Sequence, residues 1–159
     1  MTQQRLNQGR TIASTSFFIV GTLLSILSLA AEILGLDITP GFGIVQMVQL
    51  LIGLTFLTIA GFLHLQSLRP PDTGRSLQAD IGIRLAATGL VFAYVAGLSD
   101  LIGIGTHVSP AFERPFVGPL QLGGIILGVF SIIAGLLLYY TSRGPRKFSS
   151  LESLLPKEN

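Results

Sequence analysis

The same pattern of residues occurs twice in this chain, with the same internal spacings. In each copy a glycine precedes an acidic residue by eleven positions, and a glutamine precedes a second glycine by seven. These residues are Gly21, Glu32, Gln46 and Gly53 in the first copy and Gly89, Asp100, Gln121 and Gly128 in the second. Each copy covers two long apolar stretches, so the pattern predicts a duplicated transmembrane helical hairpin.

Composition supports a membrane protein. Only 11% of the 159 residues are charged, whereas soluble domains average about 25%. Each apolar stretch exceeds the roughly 20 residues that an α-helix needs to cross a bilayer. Because lipid offers no hydrogen bonds to the backbone, each stretch should be helical. The predicted fold is an all-α integral membrane bundle of four helices at about 12–36, 43–68, 81–104 and 117–141.

The basic residues predict the orientation of this bundle. Nine of the ten fall on one side of the four-span arrangement, and only Arg114 falls on the other. The positive-inside rule therefore places both termini in the cytoplasm. The predicted cytoplasmic segments are 1–11, the loop 69–80 and the tail 142–159, between hairpins at 12–68 and 81–141. Because both hairpins start inside, a pseudo-twofold axis along the membrane normal is expected to relate them.

Two alternative interpretations, a cleaved N-terminal signal peptide and a nucleic-acid-binding role for the basic residues, fit the sequence less well. Arg5, Arg10 and the first apolar run could form a cleavable signal peptide. Cleavage would leave the third helix without its repeat counterpart, so retention is expected. The basic residues flank helix ends and form no stripe with interleaved aromatics, so no nucleic-acid partner is expected. No cysteine is present, which excludes disulfides and thiolate chemistry.

Small residues recur at helical spacing in the apolar stretches. They let helix backbones approach closely, which gains van der Waals energy that lipid cannot supply. They could pack the bundle internally, or they could form faces for partner subunits or for self-association. The candidate packing residues are Gly53, Gly61, Gly89, Ala93, Gly97, Gly124 and Gly128. Tyr94 lies mid-span in the third helix, and its hydroxyl is expected to hydrogen-bond within the bundle.

The paired acids and glutamines are the candidate polar site. Glu32 and Asp100 fall near the outer membrane edge, and Gln46 and Gln121 fall in the first turns of the following helices. A side-chain amide can bind a carboxylate or a loop carbonyl between helices. The four residues could therefore tie the outer loops to the bundle. Alternatively, they could form an outward-facing pocket for a cation or a lipid headgroup.

Motifs for catalysis and for cofactors are missing from the sequence. There is no HxxxH or HExxH metal motif, no G-x-S-x-G nucleophile motif and no phosphate-binding glycine loop. His64 falls near the opposite membrane face from His107, so the two histidines cannot share a metal. We therefore expect no enzyme activity, no metal and no cofactor.

The fragment 31–35, Ala-Glu-Ile-Leu-Gly, resembles the first-helix acid motif of the small multidrug-resistance transporters, which also have four helices. The resemblance covers five residues, and the chain has no tryptophan, so no function is carried over from it. The expected function is that of a non-catalytic accessory or scaffold subunit of a larger membrane complex. The alternative is an oligomeric transporter or channel with Glu32 and Asp100 as ion-coupling carboxylates. A membrane enzyme acting on lipid is the third possibility.

Overall fold

Four long helices make up the computed structural model, which describes residues 2–31, 34–35, 42–69, 76–99 and 117–142, with side chains from residue 8 onward. All four are long and apolar enough to cross a membrane. The predicted all-α, four-span architecture is thus confirmed. The helices are α1 (Thr2–Ala30), α2 (Ile44–Ser67), α3 (Leu77–Gly97) and α4 (Pro119–Thr141).

The first hairpin departs from its predicted bounds mainly in α1. This helix begins at Thr2 rather than at 12 and ends at Ala30 rather than at 36. After it, the Leu34 amide donates to the Ala30 carbonyl at 2.9 Å. Gly35 then has a φ of 65°, in the left-handed region where glycine commonly ends helices. α2 lies within one residue of its predicted bounds.

The second hairpin differs at the start and end of α3. Its first helical residue is Leu77, four residues before the predicted start. The cause is Ser76, whose side chain accepts a hydrogen bond from the Ala79 amide at 3.2 Å and so caps the helix. α3 ends at Gly97 rather than at 104, and α4 begins at Pro119 rather than at 117. A proline in the first helical turn costs no hydrogen bond.

Large apolar side chains lie mostly on the outside of this molecule, and small ones lie between the helices. Phe18, Leu23 and Phe130 are among the exposed side chains, at 58%, 61% and 66%. Ala79, Ala86 and Ala93 are fully buried. This distribution is expected in lipid, where apolar exposure carries no penalty and close backbone packing supplies the attraction.

In the first hairpin, α1 and α2 meet at three levels spaced seven residues apart. The Ser14 hydroxyl donates to the Ala60 carbonyl at 3.0 Å. At the middle level, a Cβ on Gly21 would lie 2.9 Å from the Gly53 carbonyl oxygen, so only glycine permits this approach. At the outer level, the Ser28 hydroxyl donates to the Gln46 backbone carbonyl at 2.6 Å.

The second hairpin repeats the inner and middle levels at equivalent sequence positions, 68 residues later in α3 and 75 later in α4. A Cβ on Gly82 would lie 2.6 Å from the Gly135 carbonyl oxygen, and a Cβ on Gly89 would lie 2.6 Å from that of Gly128. At the outer level, the counterpart of Ser28 is Ala96, which lies against Gly124, three residues beyond the counterpart of Gln46. Serine hydroxyls in the first hairpin are thus replaced by glycine and alanine in the second.

The first hairpin packs against the second through α2, which contacts both α3 and α4. Gly97 of α3 lies against Met47 and Leu51 of α2, and Gly61 of α2 lies against Leu136 of α4. Of the seven predicted packing residues, these two glycines therefore join the hairpins. The other five pack within a hairpin, namely Gly53, Gly89, Ala93, Gly124 and Gly128. Ala93 also belongs to an apolar cluster with Met47 and Leu51 of α2.

A polar contact joins the hairpins within the apolar interface. The Thr55 and Tyr94 hydroxyl oxygens are 2.9 Å apart, which confirms the expected hydrogen bond of Tyr94. Thr55 also donates to the Leu51 carbonyl at 2.9 Å. Because a threonine hydroxyl has one proton, Tyr94 must be the donor in the contact between the two hydroxyls.

Arg69, which follows α2, joins the two hairpins at the C-terminal end of α4. Its guanidinium donates to the Tyr139 carbonyl at 2.9 Å and to the Ser142 hydroxyl, and it lies 4.2 Å above the Tyr139 ring. A cation at the carbonyl end of a helix is favourable because of the helix dipole. Tyr139 is only 2% exposed, so its ring is buried within the bundle.

The expected pseudo-twofold axis is not followed where the hairpins meet. Such an axis would map the contact of α2 with α3 onto a contact of α4 with α1. Among the described residues, α1 contacts α2 alone. The sequence explains this asymmetry, since the counterpart of Gly97 in the first hairpin is Leu29, whose bulky side chain is 63% exposed. The small residue that admits α2 on one side has no equivalent on the other.

We expect Gly128→Ala to lower the free energy of unfolding by about 1–3 kcal/mol, because the new methyl group overpacks the contact with Gly89. Gly123→Ala on the same helix is the matched control, since nothing lies within 4 Å of its Cβ position. SDS titration of the purified protein measures both changes. Equal effects of the two substitutions would contradict the close helix approach.

A double-mutant cycle tests the hydroxyl contact between the hairpins. Thr55→Val and Tyr94→Phe should be coupled by about 0.6 kcal/mol, the usual size for hydrogen bonds between membrane helices. Thr58→Val is the control, because the Thr58 hydroxyl donates to the Leu54 carbonyl on its own helix. It should show no coupling to Tyr94→Phe in the same SDS titration.

Candidate functional site

The candidate site lies where α2 and α4 begin, beside the end of the preceding helix. Of its four predicted residues, Gln46 and Gln121 are described, whereas Glu32 and Asp100 lie outside the described residues. Both glutamines occupy the third position of their helices. The structure thus places the two amides in equivalent positions.

Each glutamine accepts a hydrogen bond from the glycine that precedes its helix. The Gly43 amide donates to Gln46 Oε1 at 2.9 Å, and the Gly118 amide donates to Gln121 Oε1 at 2.8 Å. This is the reciprocal half of a capping box, in which the third helical residue reaches back to the cap backbone. Glycine has no side chain for the other half. The two glutamines therefore stop the chain entering each helix from fraying.

Gln121 also ties α4 to the end of α3. Its side-chain nitrogen donates to the Ser99 hydroxyl at 2.9 Å, and the residue is 7% exposed. Both ends of its amide are thus engaged with the protein. At the corresponding level of the first hairpin, the Ser28 hydroxyl binds the backbone carbonyl of Gln46. Sequence reasoning missed both serines, because both fall inside the predicted helices 12–36 and 81–104 and neither belongs to a motif.

The residues beside the glutamines form an apolar cluster. Met47, Leu51, Ala93 and Ile125 are its buried members. The partly buried side chains packed against them are Phe42, Leu54, Tyr94, Ala96, Leu98, Val117 and Val129. The ends of α2, α3 and α4 are therefore held together by apolar contacts, with glutamine caps beside them.

In the described part of the chain, the side chains form hydrogen bonds but no arrangement suited to binding a metal ion. No group of three His, Cys, Asp or Glu residues there could hold a metal ion. Its buried side-chain nitrogen and oxygen atoms all have hydrogen-bond partners. The arrangement seen around Gln46 and Gln121 can therefore fix helix ends, and the cation pocket stays a hypothesis about residues outside this part.

Comparison with known proteins gives no further guide, since no family model, no curated protein and no solved structure matches this chain.

Removing the Gln121 side chain should cost more stability than removing its partner hydroxyl. Gln121→Leu leaves the Gly118 amide without an acceptor, which we expect to cost about 1–3 kcal/mol. Ser99→Ala removes only one weaker contact, at about 0.5–1.5 kcal/mol. Both are measured by SDS titration. If Gln121→Leu were harmless, the capping role would be wrong.

Proposed function

We propose that this protein is a non-catalytic accessory or scaffold subunit of a larger membrane complex. The observation that supports this most is the position of α1, which contacts α2 alone among the described residues. Helices of a self-contained four-helix bundle usually contact two neighbours. An outer helix with both flanks open can accept transmembrane helices of another subunit.

The use of polar groups supports the same proposal. The buried polar side chains of the described residues are Ser14, Ser28, Thr58 and Gln121. Each is engaged in a hydrogen bond within a helix, to the neighbouring helix or to the chain just before its helix. Ser14, Ser28 and Gln121 tie neighbouring helices together, and Thr58 bonds within its own helix, so all four have a structural use.

We further propose that the subunit is a tandem repeat of one helical hairpin, with both termini in the cytoplasm. The packing levels at Gly21/Gly53 and Gly89/Gly128 support the repeat because the sequence offsets of 68 and 75 relate them. The positive-inside distribution of nine basic residues supports the orientation.

The orientation can be tested directly, because the chain has no cysteine of its own. A Ser109→Cys variant should react with an impermeant maleimide added to intact cells. A Ser150→Cys variant should react only after the cells are opened. The reverse labelling pattern would place the termini outside.

Association with a complex can be tested by gentle extraction from the native membrane. The protein should migrate in native separation with a stoichiometric set of other membrane proteins, identified by mass spectrometry. A monomer or homo-oligomer free of other subunits would contradict the accessory role and favour a transporter or channel.

A further inference from the structure

Within each hairpin the two helices touch through their backbones. A Cβ on Gly21 would lie 2.9 Å from the Gly53 carbonyl oxygen, and a Cβ on Gly135 would lie 2.5 Å from the Gly82 carbonyl oxygen. Neither member of such a pair has a side chain whose rotation could make room for the other helix. Tilting one helix against the other would bring backbone atoms into collision at one level, so each hairpin should move as a rigid unit.

The two hairpins touch each other mainly through side chains. A Cβ on Gly97 would lie 3.0 Å from the Met47 sulfur, and a Cβ on Gly61 would lie 3.1 Å from a methyl carbon of Leu136. Methionine is unbranched and flexible, so it adapts to a changed neighbouring surface. Lipid tails are as apolar as these side chains and can replace such contacts. The interface between the hairpins is therefore more deformable than the interface within either of them.

Polar, aromatic and covalent connections hold the hairpins together at one end, which we call the Arg69 end. The Arg69 guanidinium donates to the Tyr139 carbonyl and the Ser142 hydroxyl and lies over the Tyr139 ring. The Phe62 ring meets the same tyrosine edge-on, with 5.7 Å between the ring centroids. The chain itself crosses from one hairpin to the other here, between Arg69 and Ser76. Hydrogen bonds from a charged donor are among the stronger ones, so this end is well restrained.

The opposite end, where α2 begins and α3 ends, is held by apolar contacts; we call it the Gly97 end. Met47, Leu51, Ala93 and Ile125 form a buried cluster there, and Gly97 lies against the first two. No hydrogen bond between described residues joins the two hairpins at this end. The chain crosses here only within a hairpin, from α1 to α2 and from α3 to α4. The Gly97 end is therefore the weaker end of the interface.

We infer that the two hairpins form a hinge, with its pivot at the Arg69 end and its opening at the Gly97 end. The structure shows the closed state, in which Met47 and Leu51 cover Gly97. Opening withdraws α2 from α3 and gives lipid tails access to the apolar cluster, while each hairpin keeps its internal packing. Because Gln46 and Gln121 lie on different hairpins, opening also changes the distance between the two glutamine caps. The inference uses contacts within the chain alone and does not depend on the accessory role.

Distances between spin labels in the full-length protein test the hinge, because the chain has no cysteine that would take up label elsewhere. Labels are attached to pairs of cysteine substitutions, and double electron–electron resonance is measured in phospholipid nanodiscs. Val45 with Val95 spans the hairpins at the Gly97 end, and His64 with Tyr140 spans them near the Arg69 end. All four side chains are exposed, so labels there should leave the packing intact.

Two pairs within the hairpins are matched controls, because the repeat relates their positions. These pairs are Leu27 with Val45 and Val95 with Leu120, offset by 68 and 75 residues, and all of these side chains are exposed. In the wild-type background, the Val45–Val95 distance distribution should be broader than the distributions of both controls and of His64–Tyr140. A Val45–Val95 distribution as narrow as those of the controls would contradict the hinge.

Gly97→Leu should hold the hinge open, because a larger side chain at this position meets Met47 and Leu51. It reproduces Leu29, the residue that the first hairpin carries at the equivalent position. The Val45–Val95 distance should lengthen by about 2 Å, the spread that contacting side chains give to interhelical distances. The other three distances should stay unchanged, and SDS titration checks that the variant is folded.

Arg69→Leu tests the pivot. It removes the guanidinium that binds the end of α4, so the His64–Tyr140 distribution should become about as broad as the wild-type Val45–Val95 distribution. An unchanged His64–Tyr140 distribution would exclude Arg69 as the pivot.

Two further results would overturn the inference. Equal lengthening of the Val45–Val95 and His64–Tyr140 distances with Gly97→Leu would show that the hairpins separate without a pivot. Lengthening of either control distance would show that the hairpins themselves deform. If Gly97→Leu does not fold, the comparison of the four pairs in the wild-type background still decides.

Discussion

Close approach of helix backbones at small residues is the interaction on which this structure depends. In a bilayer, lipid tails are as apolar as leucine, so helices gain little from burying large side chains against one another. The gain comes instead from van der Waals contact and from hydrogen bonds between helices. Gly21 against Gly53 and Gly89 against Gly128 provide that contact at the centre of each hairpin. Where hydroxyls replace glycine, as at Ser14 and Ser28, a hydrogen bond joins the helices instead.

The contact between the hairpins has a different character from the contacts within them. It combines an apolar cluster around Met47 and Leu51 with the pair Thr55–Tyr94 and with Arg69 at the end of α4. Met47, Leu51 and Thr55 lie on α2 and Arg69 follows it, so this side of α2 faces the second hairpin and α1 is left on the outside. The open flank of α1 is the surface on which the proposed accessory role rests.

The four helices could be predicted from the sequence because apolar length alone decides whether a segment can span a bilayer. Helix ends were less predictable, since they depend on local caps. Ser76 moves the start of α3 by four residues, and Gly35 marks a left-handed turn soon after α1. The roles of Gly97 and Gly61 between hairpins could not be predicted, because a small residue does not indicate which helix approaches it. The glutamine pair was found from its repeat spacing, whereas Ser28 and Ser99 carry no motif that marks them.

Disulfide crosslinking of paired cysteines tests the asymmetric packing most directly. The sequence contains no native cysteine that could form a competing disulfide. The first pair, Met47→Cys with Gly97→Cys, joins α2 to α3 where the Gly97 Cβ position lies 3.0 Å from the Met47 sulfur. The second pair, Leu29→Cys with Leu122→Cys, occupies the positions that a twofold axis would make equivalent. The account predicts rapid intramolecular crosslinking of the first pair and none of the second. Comparable crosslinking of both pairs would contradict the account, because it would show that α1 contacts α4 and that the bundle is symmetric.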